Sequence, residues 1–216
     1  LLSLLKLNPQ VHKVILDGLV VTLEKNEQGE ASWEGITANQ SVKNQNDLPA
    51  KDPLSTDTQA PSSTSTKEQP NSSDFQLGIE EVSITNTTIH YLDKQSDQSA
   101  SLEDFNLRAN NISLGDEFPL NIQFKVSNSA PKLDIDAKID AAITIDRNMK
   151  HFAIKQLKSS YELSGAPFEG NKVSASFNGN SIIADLKEDM VSLDNIALQF
   201  ANLTLNTNLD IHNLTK

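Results

Sequence analysis

The stretch KLDIDAKIDAAITID, residues 132–146, decides how this chain folds. Its odd positions all hold aliphatic residues, namely Leu133, Ile135, Ala137, Ile139, Ala141, Ile143 and Ile145. Most of its even positions hold lysine, aspartate or threonine. Such strict alternation predicts a β-strand with one dry face and one wet face. The strand would extend for about 45 to 50 Å, so the fold depends on what its long aliphatic face contacts.

Composition limits the classes of protein to which the chain can belong. Its 216 residues suffice for one large β domain or two small ones, and we predict a single β-rich region over residues 1–216. The hydrophobic fraction of 37% and the aromatic fraction of 5% are low, which indicates a thin core or an elongated shape. A formal net charge of -11 opposes binding to nucleic acid, so no nucleic-acid partner is predicted. The absence of cysteine excludes disulfides and thiolate metal sites.

The amino-terminal residues LLSLLKLNP carry leucine at positions 1, 2, 4, 5 and 7 and end at Pro9. This spacing predicts a short helix that the proline stops. No segment reaches the roughly 20 apolar residues that cross a bilayer, and the chain does not begin with methionine. We therefore expect a membrane anchor, where there is one, to lie outside this chain.

Residues 39–73 differ from the rest of the chain in composition. They contain four prolines, many serines, threonines and asparagines, and almost no large apolar residue. Such a segment cannot offset an ordering cost of about 1 to 2 kcal/mol per residue. The sequence predicts a disordered low-complexity loop inside the β-rich region.

Two pairs of segments resemble each other. VHKVILDGLVVTL (11–23) aligns without gaps with IEEVSITNTTIHY (79–91) at an offset of 68, and in both the parity of the apolar residues switches midway, which indicates a bulge. SLEDFNLRANNISL (101–114) matches SLDNIALQFANLTL (192–205). Chance similarity between amphipathic strands is the alternative. We interpret the pairs as repeated β units of one sheet.

The remaining segments predict further antiparallel strands. Asn178-Gly179 is typical of a type I′ turn, and we expect it to make a hairpin that pairs Ala175 with Ile182. The candidates for one continuous aliphatic face are Leu120, Ile122, Phe124, Val126, Leu133, Ile135, Ile139, Ile143, Ile145, Val173 and Phe177.

Motifs for catalysis or metal binding are absent from the sequence. No G-x-S-x-G, P-loop, G-x-G-x-x-G or H-E-x-x-H occurs, and the four histidines are scattered singly. Asp134, Asp136 and Asp140 share one face of a strand, where they alternate with lysine and indicate a solvated surface. The sequence predicts a protein that is not an enzyme, with no catalytic residue, no metal and no cofactor.

The order of these features resembles the AsmA family of Gram-negative bacteria. The resemblance rests on residues 1–33, a leucine-rich segment before a V-x-L-x-G-x-x-[VI]-x-L-like strand and a polar turn, and on residues 75–120, which follow the low-complexity insertion. It implies a periplasmic β-rich body tethered to the inner membrane by an amino-terminal helix absent from this chain, with a role in outer-membrane assembly. The family is also similar to bridge-like lipid-transfer proteins.

Two readings of the aliphatic face stay open at this point. The resemblance implies an elongated, curved antiparallel sheet with a short amino-terminal helix, a trough whose aliphatic side contacts the acyl chains of phospholipid or lipopolysaccharide during transport between the two membranes. The alternative is a closed β-sandwich that assists outer-membrane protein assembly by binding other envelope proteins. Both need the same alternation of residues.

Overall fold

The computed structural model describes residues 10–34 and 78–213, which form ten strands of one sheet. The strands are β1 Gln10–Asp17, β2 Val20–Lys25, β3 Gly78–Asp93, β4 Gln98–Ser113, β5 Glu117–Ser129, β6 Lys132–Ile145, β7 His151–Gly165, β8 Val173–Asp185, β9 Met190–Phe200 and β10 Leu203–His212. A 3-10 helix, Ala166–Phe168, joins β7 to β8. The helix predicted at the amino terminus and the predicted loop over 39–73 lie outside the described residues.

The sheet is open and curved, which confirms the predicted fold class. Its order is β1-β3-β4-β5-β6-β7-β8-β9-β10, and β2 pairs with β3 beyond the end of β1. From β3 onward every pair is antiparallel, because short connections return the chain beside the preceding strand. β1 and β2 are parallel to β3, which departs from the all-antiparallel expectation.

The parallel pairing explains the sequence repeat at an offset of 68. Val14 lies beside Val82, and Val21 lies beside Ile89, so each residue of β1 and β2 neighbours its aligned counterpart in β3. The two similar segments therefore place matching side chains on the same side of the sheet. The prediction that they are units of one sheet is confirmed.

Strand β6 has the predicted extent and the predicted faces. It runs for 14 residues. Its odd-numbered residues lie on one side of the sheet and are paired there with apolar residues of the neighbouring strands, as Ile135 is with Val126 and Leu163. Asp134 and Asp136 point to the other side, where they pair with Ser127 and Lys125 across β5.

The hairpin predicted at Asn178-Gly179 is wrong. Both residues lie inside β8, which continues from Val173 to Asp185 and pairs with β7 and β9 along its length. Gly179 does not adopt a positive φ there. A Cβ at this position would come within 2.5 Å of the Ile196 side chain of β9, so the glycine provides space for a neighbour rather than a turn.

Bulges interrupt several strands near their middle. Asn86 in β3, Asp104 in β4, Gln156 in β7 and Asn195 in β9 each have φ between 50° and 52° and stand where the pairing register shifts. Each bulge moves the following residues to the opposite parity, and the apolar residues switch parity with it. Asp104 and Asn195 occupy the same position of the second sequence repeat, so the repeat encodes a bulged strand.

The core is thin, as the low apolar fraction predicted. Among the described residues, each strand contacts mainly the strands to which it is hydrogen-bonded, and the 3-10 helix contacts β6 and β7. Ala137 at the centre of β6 is 0% exposed, yet no large side chain of the described part is completely buried. No second layer in these residues covers the sheet. Within residues 10–34 and 78–213, no helix is long and apolar enough to span a bilayer.

Candidate functional site

One side of the sheet, defined by Ile139 and the residues that share its side, carries an almost continuous aliphatic surface, which we call the aliphatic face. Directly paired residues have their side chains on the same side of a sheet, so the pairing register maps this surface. One row crosses nine strands through Leu16, Ile84, Leu107, Ile122, Ile139, Ser159, Phe177, Leu198 and Leu205.

Parallel rows extend the aliphatic face along the strands. A second row crosses seven strands through Val21, Ile89, Leu102, Val126, Ile135, Leu163 and Val173. With strands about 4.8 Å apart and about 3.3 Å per residue, the face measures roughly 40 Å by 45 Å along the sheet. Monomeric soluble proteins normally expose contiguous apolar patches of only a few hundred Å². The face that residues 10–34 and 78–213 leave without a covering layer is larger than such a patch.

The structure brings all eleven candidates from the sequence together on the aliphatic face. Their register places them on β5, β6 and β8: Leu120, Ile122, Phe124 and Val126; Leu133, Ile135, Ile139, Ile143 and Ile145; Val173 and Phe177. Every one of them is half-buried. Side-by-side contact with neighbouring strands shields part of each side chain, and the outward part stays accessible.

The candidates from the sequence omit the parts of this face that lie on β3, β4, β7, β9 and β10. On β3 and β4 the face includes Ile84, Ile89, Leu102 and Leu107, and on β7, β9 and β10 it includes Phe152, Ile154, Tyr161, Leu163, Leu193, Leu198, Leu203 and Leu205. In β3, β4, β7 and β9 a bulge divides the alternating pattern into two short runs of opposite parity, whereas β10 alternates without interruption. Reading the runs on both sides of a bulge as one face would have found them.

Ser159 is the polar residue in the middle of the long row, and its hydroxyl group is fully engaged. The Oγ atom donates to the backbone carbonyl of Phe177 at 2.6 Å and accepts from the Phe177 N–H at 3.2 Å. Ser159 is buried. Because both hydrogen bonds stay within the sheet, the serine presents no free polar group, and the row remains apolar.

The opposite side of the sheet, which we call the polar face, carries ion pairs and hydrogen bonds between strands. Lys125 donates to Asp104 at 2.8 Å, and this hydrogen bond, with the attraction of the carboxylate, raises the pKa of the lysine. Asn121 donates to Asp140 at 2.6 Å, and Ser127 donates to Asp134 at 2.8 Å. The three aspartates that the sequence placed on a solvated surface lie here, spread along β6 and engaged with neighbouring strands.

Side chains also support the break between β1 and β2, where the aliphatic face changes parity. The carboxylate of Asp17 accepts from the Thr85 hydroxyl at 2.7 Å and from the Asn86 amide at 2.9 Å, and these bonds lower the pKa of Asp17. The backbone N–H of Asn86 donates to the Asn106 side chain at 3.1 Å. The corresponding bulge of β9 has the same arrangement, with the N–H of Asn195 donating to Asn208.

No group of three or more histidines, aspartates and glutamates in the described ranges is arranged to hold a metal ion. His151 pairs with Asp185 at 3.2 Å, and His12 pairs with Glu80 at 3.0 Å, far apart in the sheet order. These are ion-pair or hydrogen-bond partners at strand ends. The largest organised feature of the described residues is thus the aliphatic face, which offers contact without directional chemistry.

Comparison with known proteins identifies one relationship. The model of the AsmA family matches residues 1–216, the whole chain. No curated protein and no solved structure matches the chain.

Proposed function

Because this chain belongs to the AsmA family, we propose that its aliphatic face contacts the acyl chains of phospholipid or lipopolysaccharide. Membership of the family supports a role in envelope biogenesis, and the family is not known for enzymatic activity. In the proposal, the sheet serves lipid transport between the inner and outer membranes. We propose that it works in the periplasm, as part of a protein tethered to the inner membrane.

The observation that carries the proposal is a row of side chains across nine strands, apolar except for Ser159, over which the described residues place no second layer. Each methylene group removed from water contributes about 0.8 kcal/mol, so an acyl chain laid along this row would be stabilised without a specific hydrogen bond. The contribution is similar at every point of an even aliphatic surface. A lipid can therefore move along the face without being held at any one position by much tighter binding.

The division of the sheet into two faces supports the same function. The head group of a lipid must keep its water, while the acyl chain must leave it. On the aliphatic face the strands offer contact for the chain, and the open edge of the sheet leaves the head group in solvent. Transport of this kind requires no catalytic residue and no bound cofactor.

A pair of neighbouring positions on β6 tests the proposal. A photo-crosslinking benzoylphenylalanine at Ile139, whose side chain is on the aliphatic face, should capture phospholipid or lipopolysaccharide in the envelope of Gram-negative cells. The same group at Lys138, one residue away on the polar face, should not. Phe124 and Lys125 of β5 form a second matched pair.

Mass spectrometry of the crosslinked protein distinguishes the outcomes. Lipid adducts at Ile139 and Phe124 without adducts at Lys138 and Lys125 would support the proposal. Protein adducts alone at the first two positions would contradict it, and would favour the alternative in which the segment binds other envelope proteins during assembly.

A further inference from the structure

The polar face contains a groove in the middle of the sheet, between β4 and β8, which we call the polar groove. Two adjoining open cavities form it, one of about 670 Å³ along β6, β7 and β8 and one of about 410 Å³ along β4, β5 and β6. The principal residues that line it are Arg108, Asn121, Lys138, Asp140, Lys158 and Asn178. Lys138 and Asp140 belong to both cavities, which are therefore continuous.

The bulges of β4 and β7 explain the position of the polar groove. β4 is bulged at Asp104, two residues before Asn106 of the smaller cavity, and β7 is bulged at Gln156, which lines the larger one. A bulge bends its strand and increases the local twist, so the side chains beside it do not form a flat surface. Because the bend belongs to the backbone, the groove does not depend on the rotamer of one side chain.

The three cations of the polar groove are not neutralised by neighbouring residues. Within residues 10–34 and 78–213, no side chain forms an ion pair or a hydrogen bond with the charged groups of Arg108, Lys138 and Lys158. Lys125 and Lys155, on the same face, are held in ion pairs of 2.8 and 3.1 Å. All three groove cations are exposed. They can therefore bind an anion from solution without first breaking an ion pair.

The polar groove also differs in charge from the chain as a whole. Asp140 is the one carboxylate among the described residues that line it, and its Oδ1 atom accepts from Asn121 at 2.6 Å. Three cations and one carboxylate give the lining a formal charge of +2, whereas the whole chain carries -11. The groove is thus a local site for an anion on an acidic protein.

The pairing register sets the distances between the three cations. Lys158 lies directly opposite Asp140, so Lys138 is its diagonal neighbour, with Cα atoms about 7 to 8 Å apart. Arg108 lies on the same row as Lys158, three strands away, at about 14 Å. The two lysines are close enough to bind one phosphate group together, and the arginine suits a second. This spacing favours a ligand with two phosphate groups over a single phosphate ion.

The uncharged lining indicates what connects the phosphate groups. Amide and hydroxyl side chains lie between the cations, namely Asn121, Gln123, Ser160, Ser176 and Asn178. Such groups both donate to and accept from the hydroxyl groups of a sugar. No aromatic residue of the described ranges lines the groove, so phosphate contacts, and not stacking on a sugar ring, would supply the affinity.

We propose that the polar groove binds a water-soluble phosphorylated sugar, with its phosphate groups on Lys138, Lys158 and Arg108. The aliphatic face lies on the other side of the sheet, so a lipid held there by its acyl chain cannot place its head group in this groove. The ligand of the polar groove is therefore a molecule without an acyl chain. The proposal stands apart from lipid binding, because each face can be tested with its own ligand.

Isothermal titration calorimetry of the whole chain with glucose 1,6-bisphosphate tests the proposal. The bisphosphate should bind at least roughly tenfold more tightly than inorganic phosphate, because it can contact all three cations at once. Glycerol 3-phosphate, which represents the head group of a phospholipid, should bind no more tightly than inorganic phosphate. Inorganic phosphate or glycerol 3-phosphate that binds as tightly as the bisphosphate would overturn the proposal, as would the absence of any binding of the bisphosphate.

Variants of three lysines separate a defined site from general attraction of anions. Lys138→Gln and Lys158→Gln should each weaken binding of the bisphosphate by roughly fivefold to tenfold, because each removes a charge-assisted hydrogen bond. Lys155→Gln is the matched control, since it removes the same charge from the same face but from a lysine already paired with Glu117. Lys155 is about 10 Å along β7 from Lys158, so the control should change the affinity by less than about twofold. Circular dichroism should be unchanged in all three variants, and an equal loss of affinity in all three would overturn the proposal.

Discussion

The two faces of the sheet share the same backbone hydrogen bonds and differ in how their side chains interact with water. On the polar face, lysine, aspartate and asparagine pair across strands and remain hydrated, so that face needs no cover. On the aliphatic face, rows such as Ile122, Ile139 and Phe177 gain only the shielding that neighbouring strands give them. Over nine strands, residues 10–34 and 78–213 place no second layer on this face, and in our proposal an apolar ligand contacts it instead.

The largest expected effect is the difference in lipid-adduct yield between a glutamate introduced on the aliphatic face and one introduced on the polar face. Ile139→Glu should abolish the lipid photo-adducts at Phe124, because a carboxylate in the middle of the row keeps water along the acyl path. Lys138→Glu, the matched change on the polar face, should leave the adducts at their normal level. The measurement is the adduct yield in the two variants.

The same pair also tests whether the aliphatic face is uncovered. Ile139→Glu should lower the free energy of unfolding by about 1 to 2 kcal/mol, since the side chain is already half hydrated. A charge introduced into a closed core would cost about 3 to 5 kcal/mol. Denaturant unfolding of the chain measures the difference, and a loss in the larger range would show that something covers the face.

Close packing between strands on the aliphatic face predicts a loss of stability when a side chain is added at Gly179. In Gly179→Ala the added methyl group would meet Ile196, which is 4% exposed and has little room to move. We expect a loss of about 1 to 3 kcal/mol in the free energy of unfolding, typical of overpacking. The double variant Gly179→Ala with Ile196→Val should recover part of that loss. A neutral single variant would contradict the close approach of these two strands.

The bulge of β9 should give a smaller effect than the change at Gly179. Asn195 has φ of 50°, a conformation that costs a β-branched residue about 1 to 2 kcal/mol. Asn195→Val should therefore destabilise the chain by about that amount, whereas Asn195→Gly should be close to neutral. The measurement is the melting temperature of the two variants. Equal melting temperatures would contradict the positive φ at residue 195 and the bulge that depends on it.

The sequence predicted most where the pattern is local. The alternation of residues 132–146 specified β6 and its two faces. The parity switch at Asn86-Thr87 marked a real bulge, whereas the switch at Asp17-Gly18 marked the break between β1 and β2. The resemblance to the AsmA family indicated the open curved sheet. The strand and the parity switches depend on residues close together in the chain, whereas the open sheet was indicated by the resemblance alone.

The misses arose where distant residues decide the conformation. Asn178-Gly179 has the chemistry of a tight turn, but Gly179 is needed to accommodate Ile196 from the next strand, which local propensity does not reveal. The parallel pairing of β1 and β2 with β3 joins residues 68 positions apart, across a long insertion. Alternation also says nothing of what covers a face, so the sequence pattern alone did not distinguish an open sheet from a closed sandwich.

Isoleucine methyl groups on both faces allow the most direct test of the central claim. A nitroxide near the end of an acyl chain, as in 16-doxyl stearate below its critical micelle concentration, broadens the NMR signals of nearby methyl groups. The signals of Ile122 and Ile139, on the aliphatic face, should broaden at low ligand concentration. Those of Ile15 and Ile183, on the polar face, should stay sharp. Equal broadening of all four signals, or none, would contradict the account of an acyl-binding aliphatic face.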